Sequence, residues 1–259
     1  MKKQIKFSIC IPNYNYGKYI GETINSVISQ DYQDIEIIIS DNNSSDNSIE
    51  VIKSFDDKRI TLIKNKYNIG FIGNLNKVTK NASGDFIILL SSDDLMKQNA
   101  LQSYYKRIME NFESRKEIFL MSRCEIIDSN SNVIGNKGLL TGDLRKIWKN
   151  ENPDLDHYQY MGHYLLKELF LNRFQTPGQF PSMCFSRSLY EKVQGFSGYM
   201  SIYPDAYFSH KILFENPKVI YENKFLFQYR EHDKNNLSSI NRFENIKSLI
   251  DPYYTTLIF

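Results

Sequence analysis

Within the first hundred residues, four short apolar runs, 6–11, 36–40, 60–64 and 86–90, alternate with stretches of helical period, and each run stops at a polar loop. Runs this short, rich in Ile, Val, Leu and Phe and bounded by polar residues, read as strands. Between the first two, Ile20, Ile24, Val27 and Ile28 recur at helical spacing and place one apolar stripe on a helix ending near Gln30. Ser45 or Asp46 can cap a second helix carrying Ile49 and Ile52, and a third is expected over about 72–81, ahead of Gly84. The order βαβαβαβ requires crossover connections, and these imply a mainly parallel sheet covered by helices on both faces.

In such a sheet ligands sit beyond the carboxyl ends of the strands. Those ends carry Pro12-Asn13-Tyr14-Asn15, Asp41-Asn42-Asn43-Ser44, residues 65–70 and Ser91-Ser92-Asp93-Asp94, so four polar loops converge on one rim. Past Asp94 the pattern changes. A helix bearing Leu101, Tyr104, Tyr105, Ile108 and Phe112 leads into a hairpin over 118–127 and 133–134, turned at 129–132. A helix around 160–171, a Pro/Gly loop at 176–181 and a short helix after Pro204 follow. No stretch is rich enough in Gly, Ser or Pro to act as a flexible linker, so one compact two-part domain is expected: residues 1–98 and 99–238, with a tail at 239–259.

Composition removes several classes of function. With 32 Lys and Arg against 30 Asp and Glu, the net charge of +2 gives no general field for nucleic acid, and no nucleic-acid partner is expected. Cys10, Cys124 and Cys184 are odd in number and widely spaced, which fits neither a disulfide framework nor a zinc knuckle and favours a reducing cytoplasm. The first apolar stretch stops at Pro12, too short for a secretory signal, and no window approaches the roughly 18 residues needed to span a bilayer. A soluble or peripheral protein is the expectation. No GxGxxG follows the first strand and no GxxxxGK[ST] occurs, so dinucleotide and P-loop readings drop out.

Asp93-Asp94 directly follows an apolar strand. Adjacent carboxylates repel, and a metal ion is a common way to keep both charged at a strand end. Oxygen ligands without cysteine favour Mg²⁺ or Mn²⁺. The same dipeptide could form a solvated turn in which Asp94 caps the next helix, and the 41–46 segment, with its acceptors and small donors, suits either a nucleoside or a plain turn.

The segments 7–15, 36–46, Asn68-Ile69-Gly70 and 84–94 stand in the order and spacing of the family 2 glycosyltransferases, which the chain resembles across its first hundred residues. Fainter echoes at 185–190, Gly195-Phe196, Pro204-Asp205 and Tyr229-Arg230-Glu231-His232 extend the likeness to about Ser239. The resemblance implies an α/β, GT-A-type nucleotide-diphospho-sugar transferase fold and an inverting transfer of a sugar onto a saccharide or lipid-linked saccharide. By family habit this belongs to bacterial surface-polysaccharide synthesis, in the cytoplasm or at the inner face of the cell membrane.

Carried over residue by residue, the resemblance assigns Pro12, Asn13, Tyr14, Asp41, Asn42, Asn68, Gly70, Ser92, Asp94 and Arg230 to the nucleotide sugar. Asp93 and His232 are assigned to a Mn²⁺ or Mg²⁺ ion at the diphosphate, and Asp205 to the catalytic base. Asp94 would support the metal or orient the sugar, and Arg230 would pair with phosphate. His157, His163 and His210 read as structural. Ser91 replaces the first Asp of the family's frequent Asp-X-Asp triplet, Pro204 stands where Glu is common, and Asn42 replaces a frequent Asp. Because an amide both donates and accepts, UDP, dTDP and CDP donors all stay open. Tyr158, Tyr160, Tyr164, Phe180 and Tyr203 lie where the family builds its acceptor pocket. In the tail, Phe243, Ile246, Ile250 and Tyr253 recur at helical spacing, suited to packing on the domain or to a peripheral membrane contact. A catalytically silent nucleotide-sugar-binding scaffold is the alternative, motivated by Ser91 and Pro204.

Overall fold

The computed structural model describes residues 4–111, 117–137, 155–172, 177–197 and 204–232. The first half follows the expected alternation: β1 (Phe7–Asn13), α1 (Ile20–Ile28), β2 (Ile35–Asp41), α2 (Ser48–Lys53), β3 (Ile60–Lys64), α3 (Gly70–Lys80) and β4 (Phe86–Leu89). Next come β5 (Leu95–Met96), α4 (Ala100–Asn111), β6 (Ile118–Ile127), β7 (Val133–Lys137), β8 (His157–Met161) and α5 (Gly162–Asn172). A 3₁₀ turn at Phe180–Ser182 precedes β9 (Cys184–Ser186), α6 (Arg187–Val193), α7 (Pro204–Phe214) and β10 (Lys218–Arg230).

All described strands join one sheet in the order β3-β2-β1-β4-β9-β6-β10-β5, with β7 beside β6 and β8 beside β10. β1 to β4 are mutually parallel. β9 is antiparallel to both β4 and β6, and β10 is parallel to β6, so β1–β4, β6 and β10 all point one way. Their carboxyl ends therefore share a single rim. The strand order reverses between β1 and β4, and a crevice opens beyond such a reversal because the connections depart to opposite faces.

Helices cover both faces because successive side chains of the buried strands alternate. Ile9, Ile11, Ile37 and Ile39 pack with Ile20, Ile24 and Val27 of α1 and with Leu101, Tyr104 and Ile108 of α4. Cys10, Ile38, Ile87 and Leu89 pack on the other face with α3, α5, α6 and α7 through Leu75, Leu165, Leu189 and Phe208. The three cysteines are buried and none is in a disulfide.

Several expectations need correction. Tyr160 belongs to β8, whose Tyr158 and Tyr160 stand opposite Tyr221 and Val219, and the following helix starts only at Gly162. Gly162 is closely packed: a Cβ there would lie 2.5 Å from the Leu213 carbonyl oxygen. α2 has Asn47 at its cap position without a side-chain bond. Asp46 instead accepts the Ser48 and Gly17 N–H groups at 3.0 and 2.8 Å and so ties α2 to the loop after β1. β10, unanticipated by periodicity, shifts register on β6 between Glu222 and Phe225 and again between Phe225 and Phe227. Such irregularities break the period-2 pattern that reveals a strand. Phe112, Thr176, Tyr203 and the tail at 239–259 lie outside the described residues.

Candidate active site

A cleft of about 990 Å³ opens on the rim formed by the six aligned strand ends. Its walls come from the loops after β1 (Pro12 to Tyr16, Lys18, Tyr19), β2 (Asn42), β3 (Asn68), β4 (Ser91 to Asp94), β6 (Asp128, Ser129) and β10 (Glu231, His232). The first turns of α3 and α7 and the 3₁₀ turn complete it through Phe71, Asn74, Pro204, Asp205 and Phe180.

At one end, the loops after β1 and β2 are locked together by side chains. Buried Asp41 accepts the Asn13 Nδ2–H at 2.8 Å, the Ser44 N–H at 2.9 Å and the Ser44 hydroxyl at 2.6 Å. Asn15 and Asn43 adopt left-handed backbone at φ 59° and 64°, a conformation asparagine tolerates well. Asp41, expected at the nucleotide, does not line the cleft; its carboxylate ties this loop pair together. Asn42 does line it, yet its amide is committed. Nδ2 donates to Asn68 Oδ1 at 2.8 Å and to the Gly70 carbonyl at 3.3 Å, while Oδ1 accepts from Asn65 Nδ2 and the Ile69 N–H at 3.0 and 2.9 Å. With all four hydrogen-bonding positions used, this amide fixes the 65–70 loop at the edge of the cleft. Tyr14, 45% exposed, lines the rim of the cleft. Pro12, Asn13, Asn68, Gly70 and Ser92 also line the cleft.

At the other end, β5 accounts for the meeting of distant residues. Leu95 and Met96 pair antiparallel with Gln228 and Phe227, which lays Asp93-Asp94 beside Arg230 and His232. His232 Nε2 lies 3.0 Å from Asp93 Oδ2, and its ring stacks on Tyr19 at 5.0 Å. Asp94 Oδ1 accepts the Arg230 backbone N–H at 2.9 Å, whereas its Oδ2 is buried without a hydrogen-bond partner. Burial, with the neighbouring Asp93 charge, holds the Asp94 carboxyl well above the ordinary range, against the pull of Arg230. Burial and then the same two carboxylates push the Tyr16 phenol up, so it remains a proton donor.

Arg230 departs from expectation. Its guanidinium is fully buried, does not line the cleft and bonds to protein groups, so that among the described residues Lys18 is the one lysine or arginine lining the cleft. Asp205, at the start of α7, faces the cleft, and desolvation raises its carboxyl, opposed by the Ala206 N–H. Of the proposed acceptor-pocket aromatics, only Phe180 lines the cleft; Tyr158, Tyr160 and Tyr164 do not, and Tyr203 is outside the described residues. His157, His163 and His210 also lie away from it, as expected.

Among the described residues the lining carries five carboxyl groups, Asp93, Asp94, Asp128, Asp205 and Glu231, against Lys18. Such a cleft repels a diphosphate unless a cation intervenes. Among the described residues no three His, Cys, Asp or Glu side chains form a metal cage. Asp93 Oδ2 and His232 Nε2 nevertheless present an oxygen and an imidazole nitrogen side by side. This donor set fits Mn²⁺ or Mg²⁺, ions that keep water and phosphate oxygens in their shell. Sequence reasoning missed Tyr16, Lys18, Tyr19, Phe71, Asn74 and Asp128, which lie on helices or turns where a single chain gives no sign of what they face.

A family model described as "Glycosyl transferase family 2" matches residues 8–193. The Escherichia coli UDP-Glc:alpha-D-GlcNAc-diphosphoundecaprenol beta-1,3-glucosyltransferase WfgD is 38% identical over 124 residues, 48% of this chain and 47% of that protein. The chain spans less than half the length of the first curated relatives it matches. Among solved structures, S. aureus TarS 1-349 in complex with UDP-GlcNAc superposes with a TM-score of 0.70 at 20% identity, covering 95% of this chain and 65% of that one. The mannosyltransferase PcManGT from Pyrobaculum calidifontis, in complex with GDP-Man and Mn²⁺, gives 0.66 at 16% identity, covering 99% and 65%. These likenesses establish the GT-A-type fold.

Proposed function

We propose that this chain, which belongs to glycosyl transferase family 2, moves a sugar from a nucleoside diphosphate onto a lipid-linked saccharide with inversion at the anomeric carbon. The observation that carries this reading is the cleft at the β1/β4 reversal, where Asp93 and His232 stand 3.0 Å apart and Asp205 opens a helix on the same cavity.

Tyr14 and the loops after β1 to β3 hold the base and ribose. Asp93 and His232 hold Mn²⁺ or Mg²⁺, which when bound neutralises charge gathering on the departing diphosphate. Asp205 takes the proton of the acceptor hydroxyl as that oxygen bonds to the anomeric carbon. On the opposite face the bond to the diphosphate oxygen breaks and its electron pair leaves with the diphosphate. Tyr16, kept protonated, can donate to a diphosphate oxygen. One displacement inverts the centre and requires no covalent enzyme intermediate.

UDP is the favoured donor nucleotide: the E. coli relative is a UDP-Glc enzyme and the S. aureus neighbour was crystallised with UDP-GlcNAc. The same relative acts on a diphosphoundecaprenol-linked sugar, which supports a membrane-anchored acceptor and work at the inner face of the membrane. Among the described residues no helix is long and apolar enough to cross a membrane. The 239–259 stripe then supplies a peripheral contact, and flotation of the full chain with anionic liposomes, lost on truncation after Ser239, would support that contact.

The deciding experiment incubates the protein with UDP-sugars, Mn²⁺ and a polyprenyl-diphosphate saccharide and reads UDP release and product configuration by NMR. Inverted product, lost in Asp93→Ala and Asp205→Asn, supports the reading. Tight UDP-sugar binding without turnover would return the silent scaffold.

A further inference from the structure

Arg230 is fully buried at the end of β10, behind the cleft, and its donors reach three separate segments. Its backbone N–H bonds Asp94 Oδ1 at 2.9 Å, and Nε bonds the Asp93 carbonyl at 2.7 Å. Nη1 reaches the Asp128 carbonyl at 3.0 Å and Ser131 Oγ at 2.9 Å. Nη2 pairs with Glu22 Oε2, on α1, at 2.7 Å. Glu22 Oε2 also accepts the Ser131 hydroxyl at 2.7 Å, and the guanidinium lies 4.8 Å from the Tyr19 ring on which His232 stacks.

We infer that Glu22, Arg230 and Ser131 form a brace that positions Asp93 and Asp94 from behind, so Glu22 and Arg230 are positioning residues for the site whose cation assignment is given above. The geometry favours this over a phosphate-binding arginine. A guanidinium that grips the Asp93 carbonyl fixes the backbone from which the Asp93 side chain reaches His232. A planar fork can hold several acceptors at set angles, whereas an ammonium cannot. Glu22 supplies the carboxylate that balances this buried cation from the α1 side. Its side chain is 52% exposed, so the anchor can be altered without opening the core. Groups that orient metal ligands in this way commonly change metal affinity by roughly 10- to 100-fold when removed.

The test uses the full chain with Glu22→Gln and Arg230→Lys. In the ligand-free protein, hydrogen exchange of peptides spanning 91–96 and 229–232 should quicken several-fold in Glu22→Gln and Arg230→Lys, while β2 and β3 keep wild-type protection. Wild-type exchange at 91–96 in both variants would overturn the brace. Manganese uptake, read by electron paramagnetic resonance with UDP present, should weaken by about tenfold in Glu22→Gln. Arg230→Lys should weaken it too; full retention in Arg230→Lys would point to a simple phosphate-facing cation and also overturn the brace. Quickened exchange together with no manganese uptake by the wild type would support the brace and remove the cation reading instead.

Discussion

The proposed mechanism places opposite demands on the carboxyl groups of Asp93 and Asp205. Asp93 must stay charged to hold a cation, so Asp93→Ala should lower turnover on the order of 10²- to 10³-fold and abolish manganese uptake while the fold survives, as paired activity and melting measurements would show. Asp205 must be able to take a proton. Desolvation raises its carboxyl above the ordinary aspartate value, which moves the acid limb of the rate profile upward. Activity should therefore rise with pH through that raised value, and in Asp205→Asn turnover should drop roughly 10²- to 10⁴-fold with this limb missing from the residual rate. The sign for stability is the reverse. A carboxyl raised in the folded state favours folding below its unfolded value, and that contribution is lost as pH rises through the folded value. Asp205→Asn should hence melt at or above the wild-type temperature near neutral pH. Both residues were legible as motif positions. The commitment of Asn42 to the 65–70 loop and the burial of Arg230 were not, because each depends on partners supplied by other strands.

Between elements, Glu36 of β2 joins three pieces of the parallel half. It accepts from Lys6 Nζ at 2.8 Å, from Ser8 Oγ at 2.5 Å, and from the Ser83 N–H and hydroxyl at 2.6 and 2.7 Å. Burial alone would raise its carboxyl, but these bonds outweigh that and bring it down to about 2. A depressed carboxyl stabilises above its unfolded value of 4.5, and the effect is lost as pH falls through about 2. Glu36→Gln should cost on the order of 2–3 kcal/mol in urea unfolding at pH 7, with the gap closing between pH 4.5 and 2. Gly84 adjoins the same junction, where an added Cβ would meet the Lys6 carbonyl oxygen at 2.6 Å and the Ser8 nitrogen at 2.9 Å. Gly84→Ala should destabilise by roughly 1–3 kcal/mol, measurable by the same unfolding, since backbone cannot swing aside as a side chain can. Elements whose apolar pattern is uninterrupted, β1 to β4 and α1, were readable. β8, whose alternating tyrosines run straight into α5, was read as part of that helix, three-residue β9 was too short to read, and β10 was hidden by its register shifts.

Among the described residues the cleft is lined by five carboxyl groups and one lysine, so the proposed nucleotide binding should depend on a cation. UDP alone should scarcely shift the melting temperature. UDP with Mn²⁺ at about 100 times its dissociation constant should stabilise by roughly 2.7 kcal/mol, or about 5–10 °C for a chain of this size. An equal shift without metal would contradict the charge argument. The four parallel strands and their polar loops were determined by the sequence alone, because hydrophobic period and chain punctuation are local properties that survive without knowledge of neighbours. Which loop residues face the cleft, which serve only each other, and how Asp93 comes to meet His232 were decided by tertiary structure. The Asp93–His232 contact joins residues 139 positions apart, and it exists only once the sheet has set β5 against β10.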